Sequence, residues 1–439
     1  MKGDPESART TFFTVGGDGR FLAVLCLMAL MIRAVFILMS DGHTMGDSDG
    51  YITYADSLLR DGTFIDSGHS LADRAPGYSF FLLPFVLLFG MEGGFLLKAI
   101  CLAQSALGVA MIPLAFEVAY RHRGLLAARL LAVLLAFNPF FVFYGKLILT
   151  EIMSVIFSIL ILWLLDRSSK APRVRDAVWI GLAFGVAHLI KPYLALFFGV
   201  AVGYHYWRAE KSRSLHWRVA VAVLTFILVL LPWGARNQIV FGRPLVNSTQ
   251  GGLVLYAGNN PLNRSGGGIV MVDYREPAEA LELQERRQAL AAAGLAGSRR
   301  DLGHLRELAA LEDARNDLLK ERAMRWIRDH PGRFLRLAVL KASRLWNPVL
   351  HAPEFRKPYL MIISALYMIP VLIFAIVGMA GSRRRLPGPL LFAAFMILGV
   401  TLLHMVMIGS IRYREPVMAY VCLFAAFGAD DLVKRLRKG

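Results

Sequence analysis

The chain has 439 residues, 56% of them hydrophobic, and a formal net charge of +17. With a mean hydropathy of +0.50 it is too apolar for a soluble globular protein. Its basic residues fall in short connectors between apolar runs, the pattern of the positive-inside rule, so the charge excludes a nucleic-acid partner and points to a lipid bilayer.

A membrane-spanning helix needs about 20 apolar residues. In chain order the apolar runs predict spans at 21–40, 95–120, 125–137, 147–165, 178–190, 193–207, 219–233, 359–380, 390–408 and 417–429. No small-residue cleavage site follows the first run, which is expected to remain as a span. The shorter run 76–90 reads as a membrane-edge helix. RFLRLAVLKASRLW at 333–346 carries Arg333, Arg336, Lys341 and Arg344. At 100° per residue these four share one face, so an in-plane interfacial helix is expected. The expected fold is an all-α polytopic membrane protein of about ten transmembrane helices, with interfacial helices and a small, mostly helical periplasmic insertion. Three parts follow: a transmembrane module at 1–233 with an outer loop at 41–75, the insertion at 234–333, and the interfacial and C-terminal helices at 334–439. Within the insertion, two amphipathic helices broken by GLAGS are expected between 276 and 328.

The basic connectors at 121–123, 167–175, 208–218, 383–385 and 434–438 then share one side. The charge bias makes that side cytoplasmic, with both termini there. The acidic loop 41–75, the insertion and GSIRYREP at 409–416 lie outside, at the periplasmic face of a bacterial inner membrane.

Chemistry is expected on that outer side. GDSDGY at 46–51 sets Asp47 and Asp49 just after the first span. A carboxylate partly desolvated beside lipid becomes a better proton acceptor than the usual pKa of about 4 allows. Acids at i and i+2 alternatively hold a divalent metal ion, or simply cap the following helix. The cofactor stays open between these readings. Arg74, Lys191, Arg236, Arg412 and Arg414 flank spans on the outer side, where the positive-inside rule does not put cations. Guanidiniums bind phosphate bidentately, so several of them at a membrane surface suit a phosphate whose other end is a lipid. Tyr413, between two of these arginines, Glu151 at a span's start, Tyr78, Asn237, Tyr256 and Asn259 are further candidates for contact with a substrate such as a sugar. His188 and His404 lie inside apolar spans and read as packed residues, and His43 and His69 match no zinc spacing. Cys26, Cys101 and Cys422 stand singly, with no metal or redox pair. There is no P-loop, dinucleotide fingerprint, HExxH or GxSxG.

GDSDGYITYADSLLRDGTF followed by RAPGYSFFL resembles the first outer loop of GT-C type membrane glycosyltransferases. It is similar to the bacterial branch allied to protein O-mannosyltransferases and lipid A aminoarabinose transferases. GKLILTEIM at 145–153, LIKPYL at 189–194, PWGARNQIVFGRPLVNST at 232–249, WIRDHPGRFLRLAVLK at 326–341 and IRYREPV at 411–417 extend the resemblance along essentially the whole chain. The resemblance implies transfer of a sugar from a polyprenyl-phosphate carrier to a glycan, lipid or protein acceptor. It maps the catalytic base onto Asp47, makes Asp49 a helper or metal ligand, and gives the basic residues to the donor phosphate. Two departures stand out: the chain has Asp-Ser-Asp where the family often has Asp-Glu, and Lys191 where it commonly has arginine. A transporter or lipid flippase, an O-antigen ligase and a non-catalytic assembly subunit are the rival readings.

Overall fold

The computed structural model describes residues 18–40, 50–91, 94–170, 172–208, 213–267, 275–294, 301–349, 357–382 and 386–437. These are helical, with no strand among them. The membrane part comprises α1 (Asp18–Leu38), the outer helix α2 (Tyr51–Asp61), α3 (Gly77–Phe89), α4 (Gly94–Ala110), α5 (Ile112–Arg123), α6 (Leu125–Ala136), α7 (Pro139–Gly145), α8 (Glu151–Lys170), α9 (Val174–Ile190), α10 (Leu196–Arg208) and α11 (Arg213–Phe241). The outer part follows as α12 (Gly251–Gly258), α13 (Ala278–Gly294), α14 (Leu302–Asp329) and α15 (Pro331–Leu345). The chain then returns as α16 (Pro358–Ser382), α17 (Gly388–Val406) and α18 (Glu415–Leu436).

Each of the ten expected spans finds a helix here. Seven are long and apolar enough to cross a bilayer, and the bent pair α6–α7 makes up to eight. The expected spans at 125–137, 178–190 and 193–207 are the short ones. The first is bent by 40° at Asn138-Pro139. That break is stabilised from both sides. Asn138 Oδ1 accepts from the amides of Phe140 and Phe141 at 2.9 and 3.3 Å. Arg33, buried in mid-span on α1, donates to the carbonyls of Leu135 and Ala136 at the end of α6 (3.2 and 2.8 Å). A break in a membrane helix is tolerable when such groups satisfy the freed backbone.

The bundle is organised on α18, which packs against α16, α8 and α6 and is buried nearly all round. Lipid offers helices no hydrophobic incentive to associate, so close packing at small residues has to supply it. A Cβ on Gly378 would stand 1.9 Å from the Phe424 carbonyl oxygen, and one on Gly428 would stand 2.1 Å from that of Phe374. Glycine is what lets α16 and α18 cross so closely.

Ion pairs gather at one end of the bundle. Arg121, His122 and Lys170 surround the buried Asp166; Arg123 pairs with Asp431, Arg129 with Asp18, Arg167 with Asp176 and Lys434 with Asp430. Helices α8, α9 and α18 all run from this end to the other, where the outer helices lie. There α13 and α14 are the two amphipathic helices expected in the insertion, whereas α11 continues past 233 to Phe241. Helix α15 corrects one expectation: its four basic residues do not form a single wet face. Arg333 and Arg336 are exposed, but Lys341 is fully buried. Its Nζ donates to Asn259 Oδ1 (2.8 Å) and to the Val406 carbonyl (3.0 Å), and burial pushes its pKa down to about 7.

One close approach joins two sequence motifs. A Cβ on Gly77, in RAPGY, would meet the carbonyl carbon and oxygen of Leu189, in LIKPY, at 2.7 Å. Gly77→Ala is therefore expected to destabilise the protein by about 1–3 kcal/mol. Gly199→Ala, whose added methyl meets nothing within 4 Å, is expected to be neutral or mildly stabilising. Thermal unfolding of the two purified variants in detergent measures the contrast.

Candidate active site

At the outer end of the bundle three chain segments meet on one carboxylate. Glu151, the first residue of α8, is fully buried. Its Oε1 accepts from Lys191 Nζ at 3.0 Å and from Arg412 Nε at 2.5 Å. Lys191 sits in the turn between α9 and the 3-10 turn Pro192–Ala195, and Arg412 in the 3-10 turn Ile411–Arg414 that starts α18. Burial lowers the lysine's affinity for its proton, and the adjacent Glu151 opposes that effect. The triad carries two cations and one anion. Of the three, Arg412 is the accessible one: its side chain is 25% exposed, against 8% for Lys191 and 0% for Glu151.

Aromatic rings wall this cluster. Tyr413 stacks on His404 (centroids 4.5 Å apart, planes at 11°), Tyr193 meets the same imidazole edge-on at 5.6 Å, and Lys191 Nζ lies 5.9 Å from the Tyr413 ring centre. His404 Nδ1 faces the Ile408 carbonyl at 3.1 Å, so Nδ1 carries the proton and Nε2 presents a lone pair. Among the buried polar atoms without a partner in the described residues are Glu151 Oε2, His404 Nε2 and the Tyr193 hydroxyl, all at this cluster. Buried polar atoms are nearly always satisfied, so orphans converging near one ion cluster call for an explanation such as a ligand.

The first outer loop reaches this region through side chains. Tyr51, at the start of α2, packs edge-on to Tyr78 with centroids 5.0 Å apart. The Tyr78 hydroxyl donates to Gln104 Oε1 at 2.7 Å, and Gln104 Nε2 donates to the carbonyls of Gly145 and Leu147. That turn leads directly into Glu151. Asp47 and Asp49, together with His43, lie outside the described residues. Among the described residues no group of three His, Cys, Asp or Glu is arranged to hold a metal ion, and His69 is part of none.

The remaining candidates are engaged elsewhere. Arg414, two residues beyond Arg412, is fully buried and donates to the carbonyls of Leu345 (3.1 Å) and Asn347 (2.5 Å), stacked over Phe140. It caps the C-terminus of α15. Arg236 donates to the Phe64 carbonyl and to Asn237 Oδ1 and lies over Trp233. Arg74 donates to Gln250 Oε1. The amides of Asn237 and Asn259 are spent on backbone carbonyls of Leu245 and of Leu255 and Val406. Tyr193 and His404 complete a cluster that sequence reading had not assembled. Tyr193 follows Lys191 by two residues in LIKPYL, which was the available signal; an isolated histidine in an apolar span carried none.

The triad has an energetic signature. Removing one partner of a buried ion pair costs about 3–5 kcal/mol, because a charge is left unpaired. Glu151→Gln leaves two cations facing a neutral amide and is expected to reach that range. Lys191→Met leaves Arg412 on the carboxylate and is expected to cost distinctly less. Chemical unfolding in detergent compares them, and equal losses would mean that the carboxylate is not shared.

Residues 73–234 match the family model of the dolichyl-phosphate-mannose-protein mannosyltransferases. No curated protein matches the chain in sequence. Among solved structures, the archaeal oligosaccharyltransferase AglB from Archaeoglobus fulgidus, in complex with an inhibitory peptide and a dolichol-phosphate, is similar with a TM-score of 0.50 and 14% identity. The match covers 95% of this chain and 51% of that one. The same organism's oligosaccharyltransferase tethered with an acceptor peptide containing the NVT sequon matches with a TM-score of 0.53 and 13% identity, over 95% and 50%. ArnT from Cupriavidus metallidurans bound to undecaprenyl phosphate gives a TM-score of 0.43 and 15% identity, over 94% and 78%. The chain spans about half the length of the archaeal proteins it matches. The chain thus has the helical membrane fold of these proteins, and its residues 73–234 are similar to the mannosyltransferase family.

Proposed function

We propose that the protein transfers a sugar, a hexose or a pentose, from a polyprenyl-phosphate donor to an acceptor hydroxyl, with inversion, at the periplasmic face of a bacterial inner membrane. The observation that carries this reading is the triad of Glu151, Lys191 and Arg412: two cations brought together on one buried carboxylate, with the Arg412 side chain partly exposed and unpartnered polar atoms of Glu151, His404 and Tyr193 beside it. Such a site suits an anion. The archaeal relative's dolichol-phosphate, a lipid phosphate, supports a carrier of that class. The basic connectors support cytoplasmic termini and an outer active site.

The chemistry follows from charge development. The bond between the anomeric carbon and the phosphate oxygen breaks, and negative charge grows on the departing polyprenyl phosphate. Arg412 and Lys191, held ready by Glu151, stabilise that charge without reorganising. The acceptor hydroxyl attacks from the opposite face, and Asp47 takes its proton. Asp49 helps or, with Asp47, binds a divalent ion. His404 Nε2 and Glu151 Oε2 are acceptors and suit the donor sugar's hydroxyls. Arg414 and Asn259 serve the framework, while Arg74 and Arg236 border the first loop. The outer loops and insertion select the acceptor, a glycan, lipid or protein.

Purified protein incubated with labelled polyprenyl-phosphate sugar and a membrane extract tests the reading. Sugar is expected to move to a new product. Asp47→Asn is expected to abolish that transfer while leaving folding and insertion intact; normal turnover would remove Asp47 from the role of base. Arg412→Ala is expected to lower kcat about 10²-fold or more. Release of uncleaved donor across a proteoliposome membrane would replace this reading with transport, and use of diphosphate-linked glycans alone would replace it with a ligase.

A further inference from the structure

The insertion touches the first outer loop through one buried carboxylate. Glu312, in the middle of α14, is 4% exposed. Its Oε2 accepts from the amide of Leu71 at 2.6 Å, and its Oε1 from the amide of Ala72 at 3.0 Å. The Thr249 hydroxyl donates to Oε1, and the Thr249 amide donates to the Ala72 carbonyl at 2.8 Å. Ala72 is thus held at both its amide and its carbonyl. Around these bonds Ile65 and Leu71 pack with Leu308 and Ala309 of α14. The neighbouring residues of α14 anchor the helix itself: Asp313 pairs with Arg243, and Asn316 Oδ1 accepts from the amide of Gly252.

The segment held in this way leads into the site. Arg74 lies two residues beyond Ala72. Gly77 lies five beyond, pressed against Leu189, which precedes Lys191 by two. Burying a carboxylate is costly unless its lone pairs are used. The ion-pair partner of Glu312, Arg287, stands at 3.9 Å, beyond hydrogen-bond distance, so the backbone amides and the Thr249 hydroxyl do the holding. A solvated polar residue would have been enough for a roof that merely covers the loop.

We infer that Glu312 is a positioning residue, whose carboxylate sets the backbone of Leu71 and Ala72 and through it the register of the first outer loop against the triad. The inference rests on the transferase reading for its consequence in turnover, but the hold on the loop stands apart from it. The carboxylate faces Asp73 and Tyr54 from the loop side, Arg287 from α13 and Arg236 from α11. Burial pushes its pKa up to about 7, against the lowering effect of the Leu71 and Thr249 bonds. A protonated carboxyl cannot accept at every position used here, so the hold weakens as pH falls below about 7. Fold stability runs the other way. A carboxyl with a raised folded pKa binds protons more tightly folded than unfolded, so its contribution falls as pH rises from its ordinary value to about 7.

The test uses the full chain in detergent. Hydrogen exchange of the peptide containing Leu71 and Ala72, and donor kcat and KM, are compared for wild type and Glu312→Gln. The variant is expected to exchange about tenfold faster there, with a lower kcat and little change in donor KM. Its activity is also expected to lose the wild type's fall below about pH 7. Unchanged exchange overturns the hold, and faster exchange with unchanged kcat overturns the positioning role. Wild type that transfers no sugar, while exchange still responds to Glu312→Gln, sinks the transferase reading and leaves the hold standing. Should Glu312→Gln not fold, Thr249→Val removes one bond to Oε1 and is expected to give a smaller effect in the same direction; no effect there overturns the inference.

Discussion

Two cations share the single oxygen Oε1 of Glu151 where little water can reach. An anion in such a place must be neutralised, and each cation there must in turn find an anion. The three residues come from segments 40 and 261 residues apart in sequence. Satisfying them therefore fixes where the start of α8, the end of α9 and the start of α18 stand. That demand for balanced charge is what orders this end of the bundle.

The same side-chain chemistry serves opposite ends depending on what it faces. Arg412 turns to a carboxylate and remains partly exposed, whereas Arg414 turns inward and spends its donors on the end of α15. Arg33 does for α6 what Arg414 does for α15. Inside a membrane protein, unsatisfied carbonyls at a helix end are costly enough to engage a full guanidinium. A cation close to a proposed anion site is therefore not necessarily part of it.

The membrane bundle was legible because hydropathy records what lipid demands of each turn of helix, and every expected span found its helix. The amphipathic pair in the insertion was legible for the same reason. Glu151, Lys191 and Arg412 could each be singled out, but their meeting could not, because nothing in a sequence reports which distant segments touch. Lys341 defeated the helical wheel. Its angular position matches that of the solvated arginines of α15, yet α12 and the end of α17 close over it. The asparagines 237 and 259 have polar heads suited to a sugar, but carbonyls left over by turns and helix ends claim them first. Histidine 404 was passed over because an imidazole in an apolar run shows neither its tautomer nor its neighbours.

Helix α9 has 17 residues. At 1.5 Å per residue it rises about 25 Å, short of the roughly 30 Å of a hydrocarbon core. Its first turn is tied to α8 by the Arg167–Asp176 pair, and Lys191 follows its last residue. A helix this short is accommodated by local thinning of a thicker bilayer rather than by tilting. The thickness of the surrounding membrane thereby bears on the strain at the turn that holds Lys191.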